Sequence, residues 1–184
     1  MASLVLIVTS CKKDDPAPKQ VVKSEVTLEN FDKNADNNKS ITWYSSTAGV
    51  SYTMEQIKAN LPISEKIDFG LNINDVEFGI YSPSTYPQPY GQNTWTKLNS
   101  TIFKTPADLQ GDLKNKIINQ PEAITVDFIN KNFNDGFVPS SQATGISTDQ
   151  VIAFKAANGN TGLIFIKNFN FAAKTALITV FVAK

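Results

Sequence analysis

The sequence predicts an α+β domain built mainly from antiparallel β-sheet, with one to three inserted helices and a three-stranded meander at the C-terminus. Three observations predict this fold class. Short stretches rich in β-branched and aromatic residues recur between polar turns. Helix-start signals lie in the middle of the chain. The C-terminal part alternates apolar runs around Asn158-Gly159, a strong hairpin signal. A sandwich of two sheets is one arrangement that fits.

The N-terminal half is expected to contain four strands and one helix. The predicted strands share β-branched and aromatic residues bounded by turn residues, and they span 26–31, 41–44, 66–71 and 76–82. The last two could form a hairpin. Thr53 and Gln56 have the spacing of a capping box, so we expect a short helix that begins after Thr53 and ends by Pro62.

The C-terminal half is expected to contain helices followed by the meander. Thr105 with Pro106 is typical of a helix start, and Leu109, Leu113 and Ile117 then form one apolar stripe. Residues 122–133 fit both a helix and a strand, and we favour a helix capped by Asn119. The predicted strands of the meander span 151–156, 161–167 and 177–183.

Composition excludes several classes of function. The 184 residues suit one domain, and the 17 basic residues, all lysine, balance 17 acidic ones. Arginine and histidine are absent from the sequence. Nucleic-acid binding depends on excess positive charge and on the arginine fork, so we predict no nucleic-acid partner. Because histidine is the commonest general base and metal ligand, we also predict no metal site, no cofactor and no catalytic residues.

The first residues resemble the end of a bacterial lipoprotein signal. An apolar run, Leu4–Val8, is too short for a membrane span, which needs about 20 residues. Val8-Thr9-Ser10-Cys11 is similar to a lipobox, in which an aliphatic residue and two small ones precede an acylated cysteine. We therefore expect residues 1–10 to be a partial signal peptide and Cys11 to be lipid-linked. The alternative is a cysteine in an N-terminal strand.

The polar segment after this cysteine is expected to be a tether. Residues 11–24 are rich in lysine, aspartate and proline, so they should be flexible, and residues 25–184 should form a single globular domain. The run SCKKDD resembles the N-termini of Bacteroidetes lipoproteins, in which such residues accompany export to the outer face of the outer membrane. This resemblance implies lipid anchoring in the outer membrane, on the cell-surface or the periplasmic side.

Four further segments of the chain form a recognisable pattern. They are KIDFG at 66–70, Ser82-Pro83, Trp95 with NSTIF at 99–103, and QVIAFK at 150–155 followed by GLI at 162–164. Their order resembles that in a family of uncharacterised Bacteroidetes lipoproteins. The resemblance covers most of the chain after the tether. It implies location and order of elements, and it implies no catalytic residue.

A proline-rich segment, residues 83–93, carries aromatic and amide side chains suited to a ligand. The candidate ligand-binding residues are Tyr86, Gln88, Tyr90, Gln92 and Asn93. Aromatic rings cover the apolar faces of sugars, and amides bind hydroxyl groups without charge. We therefore expect exposed rings here and a glycan as ligand, while Trp95 should face the core. The alternative is that the rings only hold this loop on the sheet.

Two groups of polar residues are candidates for functional sites. Asp32, Asn34, Asp36 and Asn38 alternate like the first ligands of an EF-hand, but Trp43 stands where a bidentate glutamate is required, which excludes an EF-hand. We favour a solvated turn rich in Asn and Asp, and a weak calcium loop of another kind is the alternative. The second group, considered for glycoside cleavage, is Asp68, Asp75 and Glu77. Nothing in the sequence places these three together.

These observations favour a membrane-anchored cell-envelope lipoprotein whose domain binds an extracellular ligand such as a glycan and is not an enzyme. One alternative is a structural or accessory component of an envelope protein assembly. The other is a carboxylate-dependent hydrolase. The expected partners are the membrane, through the lipid anchor, and either a glycan or an envelope protein.

Overall fold

The computed structural model of the protein describes residues 19–87 and 91–184, and in them the chain forms eleven strands and three α-helices. The strands are β1 Val21–Glu29, β2 Trp43–Ser45, β3 Val50–Tyr52, β4 Phe69–Ile73, β5 Phe78–Tyr81, β6 Ile102–Thr105, β7 Phe137–Ser140, β8 Gln142–Thr144, β9 Val151–Lys155, β10 Thr161–Asn170 and β11 Thr175–Ala183. The helices are α1 Met54–Ala59, α2 Gln110–Asn119 and α3 Val126–Asn134. The predictions for residues 1–10 and Cys11 lie outside the described residues.

The strands form two sheets, and every pair of neighbouring strands is antiparallel. One sheet has the order β1-β11-β10-β9-β6-β7, and the other has the order β3-β2-β4-β5-β8. The predicted α+β class with mainly antiparallel sheet is confirmed. The C-terminal meander is β9-β10-β11, and the hairpin between its first two strands turns at Gly159, whose φ of 91° suits glycine.

The largest hydrophobic core lies between the two sheets, which makes the fold a sandwich. Phe69 of β4 has its ring centroid 5.7 Å from that of Phe154 of β9, and the same cluster contains Leu71 and Ile73 from alternate positions of β4. Alternate residues of a strand point to opposite faces, so this spacing directs one face of β4 into the core.

Helices α2 and α3 cover the outer face of the six-stranded sheet. Leu113 and Ile117 of α2 pack there with Ile129 of α3, so two of the three residues of the predicted apolar stripe are buried. The predicted helix start at Thr105 is wrong, because Thr105 ends β6 and pairs with β7. The helix therefore begins five residues later, and Leu109 precedes it with 76% of its surface exposed.

Residues 122–133 are mostly helical, as we favoured. Helix α3 begins at Val126, and the hydroxyl of Thr125 accepts a hydrogen bond from the Phe128 N–H at 3.2 Å. Thr125 is thus the cap, and Asn119, the expected cap, is the last residue of α2. The capping box of α1 is confirmed, with Thr53 and Gln56 bonded to each other in both directions.

Strand β1 begins earlier than the predicted end of the tether. Val21 pairs with Ala183, and the backbones of Gln20 and Lys184 exchange two hydrogen bonds of 2.9 Å. Residues 21–24 are therefore strand and part of the domain, because β11 offers them a full antiparallel partner. Within the described ranges, no helix combines the length and the apolar character that a membrane span needs.

Candidate functional site

The proline-rich segment lies against the outer face of the five-stranded sheet, and Tyr86 is buried there. Only 7% of Tyr86 is exposed, and its ring centroid lies 4.5 Å from that of Trp43. Its hydroxyl donates to the carbonyl oxygen of Leu71 at 2.5 Å. The prediction of an exposed ring at Tyr86 is wrong, because this ring holds the segment on the sheet.

Gly70 of β4 explains why the aromatic side chains can approach the sheet. A Cβ atom at this position would lie 2.7 Å from the ring of Trp43 and 3.1 Å from that of Tyr86. Such distances are shorter than normal contacts, so only glycine leaves room for both rings. A glycine in a strand often marks such a close approach, and Gly70 was the sequence signal for it.

The remaining residues of this segment are divided between interior and surface. Gln92 is buried, and Asn93 is exposed. Trp95 is buried next to Trp43, with ring centroids 4.8 Å apart, as expected for a ring that faces the core. Gln88 and Tyr90 lie outside the described residues. Of the five candidate residues, Tyr86 and Gln92 are therefore part of the interior, contrary to the expected exposed site.

The three carboxylates considered for hydrolysis are not brought together. Asp68 directly precedes β4, only 2% of it is exposed, and its Oδ2 accepts a hydrogen bond from the Ser46 N–H at 2.6 Å. Burial raises the pKa of this carboxyl group. Asp75 and Glu77 follow the other end of β4, whose five residues span about 17 Å. An acid and base pair for glycoside cleavage needs about 5 to 9.5 Å.

The acidic loop considered for calcium uses its oxygens within the protein. Asp32 accepts hydrogen bonds from Asn30 at 2.5 Å and from Lys174 at 2.7 Å. Asp36 caps a short 3₁₀ turn by accepting from the Asn38 N–H at 3.1 Å. In residues 19–87 and 91–184, no three His, Cys, Asp or Glu side chains are grouped for a metal.

A cleft of about 280 Å³ opens between the edges of the two sheets. The chain passes from β7 of one sheet to β8 of the other at Ser141, so the sandwich is not closed on this side. Residues of β6, β7, β8 and β9 and the start of α2 line the cleft. Phe103 and Ile152, which face the inter-sheet core, form its apolar floor.

The polar groups that line the cleft are neutral apart from one lysine, as far as residues 19–87 and 91–184 show. This residue is Lys104, whose Nζ donates to Asn134 O at 3.3 Å and lies 4.8 Å from the centroid of the Phe133 ring. The Gln110 side chain is fixed by two hydrogen bonds to the backbone of Val151, of 3.0 and 2.7 Å. The described lining of the cleft therefore combines an apolar floor, amide and hydroxyl groups and one lysine.

Sequence reasoning missed this cleft. Its walls come from four strands and one helix, whose residues lie between 103 and 152, so no local motif marks it. Two residues of the sequence, Gly136 and Pro139, are signals of an irregular edge strand at this position. A Cβ atom at Gly136 would lie 2.6 Å from Thr105 O, and Pro139 lacks an N–H, which is typical of an edge strand.

Comparisons with known proteins support the fold. No family model matches the sequence, and no curated protein matches it significantly. The chain is similar to the crystal structure of a DUF4466 family protein from Parabacteroides merdae, with a TM-score of 0.62 and 16% sequence identity. The match covers 90% of this chain and 54% of that one, so this chain spans about half the length of its structural relative. At this identity the similarity shows the fold alone.

Proposed function

We propose that the protein is a lipid-anchored lipoprotein of the cell envelope, in the outer membrane, whose folded domain is a binding module and not an enzyme. The cleft carries the proposal of binding without catalysis. Among the described residues, its lining combines an apolar floor with amide and hydroxyl groups and holds no carboxylate. A hydroxyl nucleophile needs a general base beside it, and Lys104 is the one titratable side chain of this described lining.

The proposed anchor is Cys11. Val8-Thr9-Ser10-Cys11 has the order of a lipobox, and nine residues lie between Cys11 and Val21, the start of β1. The ten residue-to-residue steps from Cys11 to Val21 reach at most about 36 Å when extended. An acylated Cys11 would therefore keep the domain close to the membrane, with the start of β1 directed towards the lipid. The run SCKKDD favours the cell-surface side, and the periplasmic side is the alternative.

A glycan is the ligand that we propose for the proline-rich segment. Because Tyr86 and Gln92 are buried, the proposed contacts there are those of Gln88, Tyr90 and Asn93. A role as an accessory component of an envelope protein assembly is the second candidate. The cleft favours this accessory role, because the edge of a β-sheet forms one wall of the cleft and an unpaired edge can accept a strand of another protein.

Cell fractionation tests the anchor. In cells that carry a complete lipoprotein signal, the wild type should be found with the membranes, and Cys11→Ser should lose this association because it lacks the acylated thiol. Ser10→Ala is the matched control, since alanine keeps a small residue before the cysteine. Equal membrane association of wild type and Cys11→Ser would contradict lipid anchoring.

A glycan array tests the ligand. The wild type should bind a subset of glycans, and Tyr90→Ala should weaken binding by about 1 to 3 kcal/mol if the ring is an anchor. Glu122→Gln, an exposed substitution far along the chain, is the control and should bind as the wild type does. If no glycan on the array bound the wild type, the proposal of a glycan ligand would be wrong, and the role in an envelope protein assembly would remain as the proposed function.

A further inference from the structure

We propose that β8 accepts an extended, neutral segment of a partner protein as an additional strand, and that the cleft between the sheets is where this segment lies. This goes beyond glycan binding at the proline-rich segment, whose Tyr86 packs on the outer face of the sheet. The two sites can therefore succeed or fail separately.

The hydrogen bonds between β5 and β8 show which backbone groups are used. The Ser82 N–H donates to Ser141 O at 3.0 Å, and the Gly145 N–H donates to Phe78 O at 2.9 Å. In an antiparallel pair, every second residue bonds to the same neighbour. Ser141, Ala143 and Gly145 thus direct their backbone groups to β5.

The intervening residues, Gln142 and Thr144, direct their backbone groups away from β5. Strand β8 ends the five-stranded sheet, and β5 is its partner among the described strands. The Gln142 N–H donates to the Ser140 hydroxyl at 3.2 Å. The Gln142 carbonyl and both backbone groups of Thr144 have no strand partner within residues 19–87 and 91–184. Both residues line the cleft, so these groups are open to a segment placed there.

The opposite wall of the cleft, β7, is unsuited to the same pairing. Phe103 pairs with Ser140 and Thr105 with Phe137, so one residue of β6 faces two of β7. This is a β-bulge, and within it Val138 has a φ of 50°, in the left-handed region. The bulge and the missing N–H of Pro139 block strand addition to β7. Strand β8 is therefore the edge that receives the segment.

The shape and charge of the cleft select the kind of partner. The edge of β8 lines a cleft of about 280 Å³ whose other wall includes β7, so the space suits a single extended chain. Alternate side chains of the segment would point to Phe103 and Ile152, which favours apolar residues there. Lys104 is the one ionisable residue among the described lining residues, and its ammonium group already contacts Asn134 O and the Phe133 ring, so the lining favours a neutral segment.

The N-terminal tether of the same chain is not the proposed occupant. It enters the domain at β1, and β1 and β7 are the two outermost strands of the six-stranded sheet. Five strand spacings of about 4.8 Å place β1 about 24 Å from β7. An extended chain needs about seven residues to span this distance, so too few residues after Cys11 would be left to pair with β8.

Selection from a display library of random peptides tests the proposal, with the full chain carrying Cys11→Ser as the immobilised target. Peptides with alternating apolar residues and no net charge should be enriched. Adding Thr144→Pro should abolish enrichment, because proline removes the N–H of Thr144, which does not pair with β5. The matched control is Ala157→Pro, in the exposed turn between β9 and β10 that the Gly159 N–H closes by donating to Ala156 O.

Amide hydrogen exchange gives a second readout that does not depend on a folded variant. With an enriched peptide bound, exchange at Thr144 should slow by at least about tenfold, and N-methylation of the peptide backbone should remove the effect. Failure to enrich peptides, or enrichment that survives Thr144→Pro, would overturn the proposal. Protection of Thr144 that depends on protein concentration without peptide would also overturn it, since the occupant would then be a second copy.

Discussion

Replacing Tyr86 by alanine should destabilise the domain strongly, because its ring is part of the interior. A buried aromatic side chain cut to alanine costs about 3 to 5 kcal/mol. In a chain of this size, each kcal/mol lowers Tm by about 2 to 4 °C, so a decrease of about 6 to 20 °C is expected. Tyr86→Phe removes only the hydroxyl that donates to Leu71 O and should cost about 1 kcal/mol.

Urea unfolding followed by tryptophan fluorescence is a suitable assay, since Trp43 contacts the Tyr86 ring and reports on its loss. Val76→Ala is the control, because Val76 is 90% exposed and its truncation should change stability by less than about 0.5 kcal/mol. If Tyr86→Ala were as stable as this control, with unchanged fluorescence, the ring would be exposed and our account of the segment would be wrong.

Three further predictions concern the core, a buried acid and the acidic loop. Gly162→Ala places a Cβ 2.2 Å from the Phe154 ring and should lower the free energy of unfolding in urea by about 1 to 3 kcal/mol. Its control is Gly111→Ala, whose Cβ meets nothing within 4 Å and which should raise this free energy by up to about 1 kcal/mol. If Gly111→Ala were the less stable variant, the described packing around Gly162 would be wrong. Burial raises the pKa of the Asp68 carboxyl group in the folded state. Ionisation of this group therefore lowers the free energy of unfolding as pH rises above the pKa of the unfolded state, which is about 3.9. The difference in free energy of unfolding between Asp68→Asn and the wild type should therefore shift in favour of the variant as pH rises from about 3 to about 7. A difference that does not change with pH would argue against burial of this carboxyl group. Millimolar calcium should leave Tm unchanged relative to chelator, because Asp32 is already bound to protein donors; an increase would reveal a site.

Local signals in the sequence predicted much of the fold. The capping box of Thr53 and Gln56 and the hairpin at Asn158-Gly159 each depend on a few adjacent residues, and both form as expected. The helix signal at Thr105 failed for a physical reason. Thr105 pairs with Phe137, which is more than thirty residues away, and this contact between strands takes precedence over a local cap.

The side on which an aromatic residue lies could not be predicted in the same way. Tyr86 follows prolines and polar residues, a context typical of a surface loop. Its burial depends on Gly70, whose missing side chain leaves space for the ring, and on Leu71, whose carbonyl accepts the hydroxyl proton. Contacts of this kind, between residues of different segments, leave no periodic pattern in a single sequence.

The cleft was missed for a similar reason. It exists because β7 and β8 belong to different sheets although a single residue, Ser141, separates them. A sequence shows that a turn occurs there, but the pairing of each strand with β6 or β5 depends on the assembled sheets.

Mass spectrometry of the N-terminus tests the proposed lipid anchoring most directly. The protein should be isolated from membranes of cells that carry a complete lipoprotein signal. We predict that its mature chain begins at Cys11 and that the cysteine carries the lipid, so that residues 1–10 are absent. An unmodified peptide that runs from the signal through Cys11 into Lys12 and Lys13 would contradict the proposal.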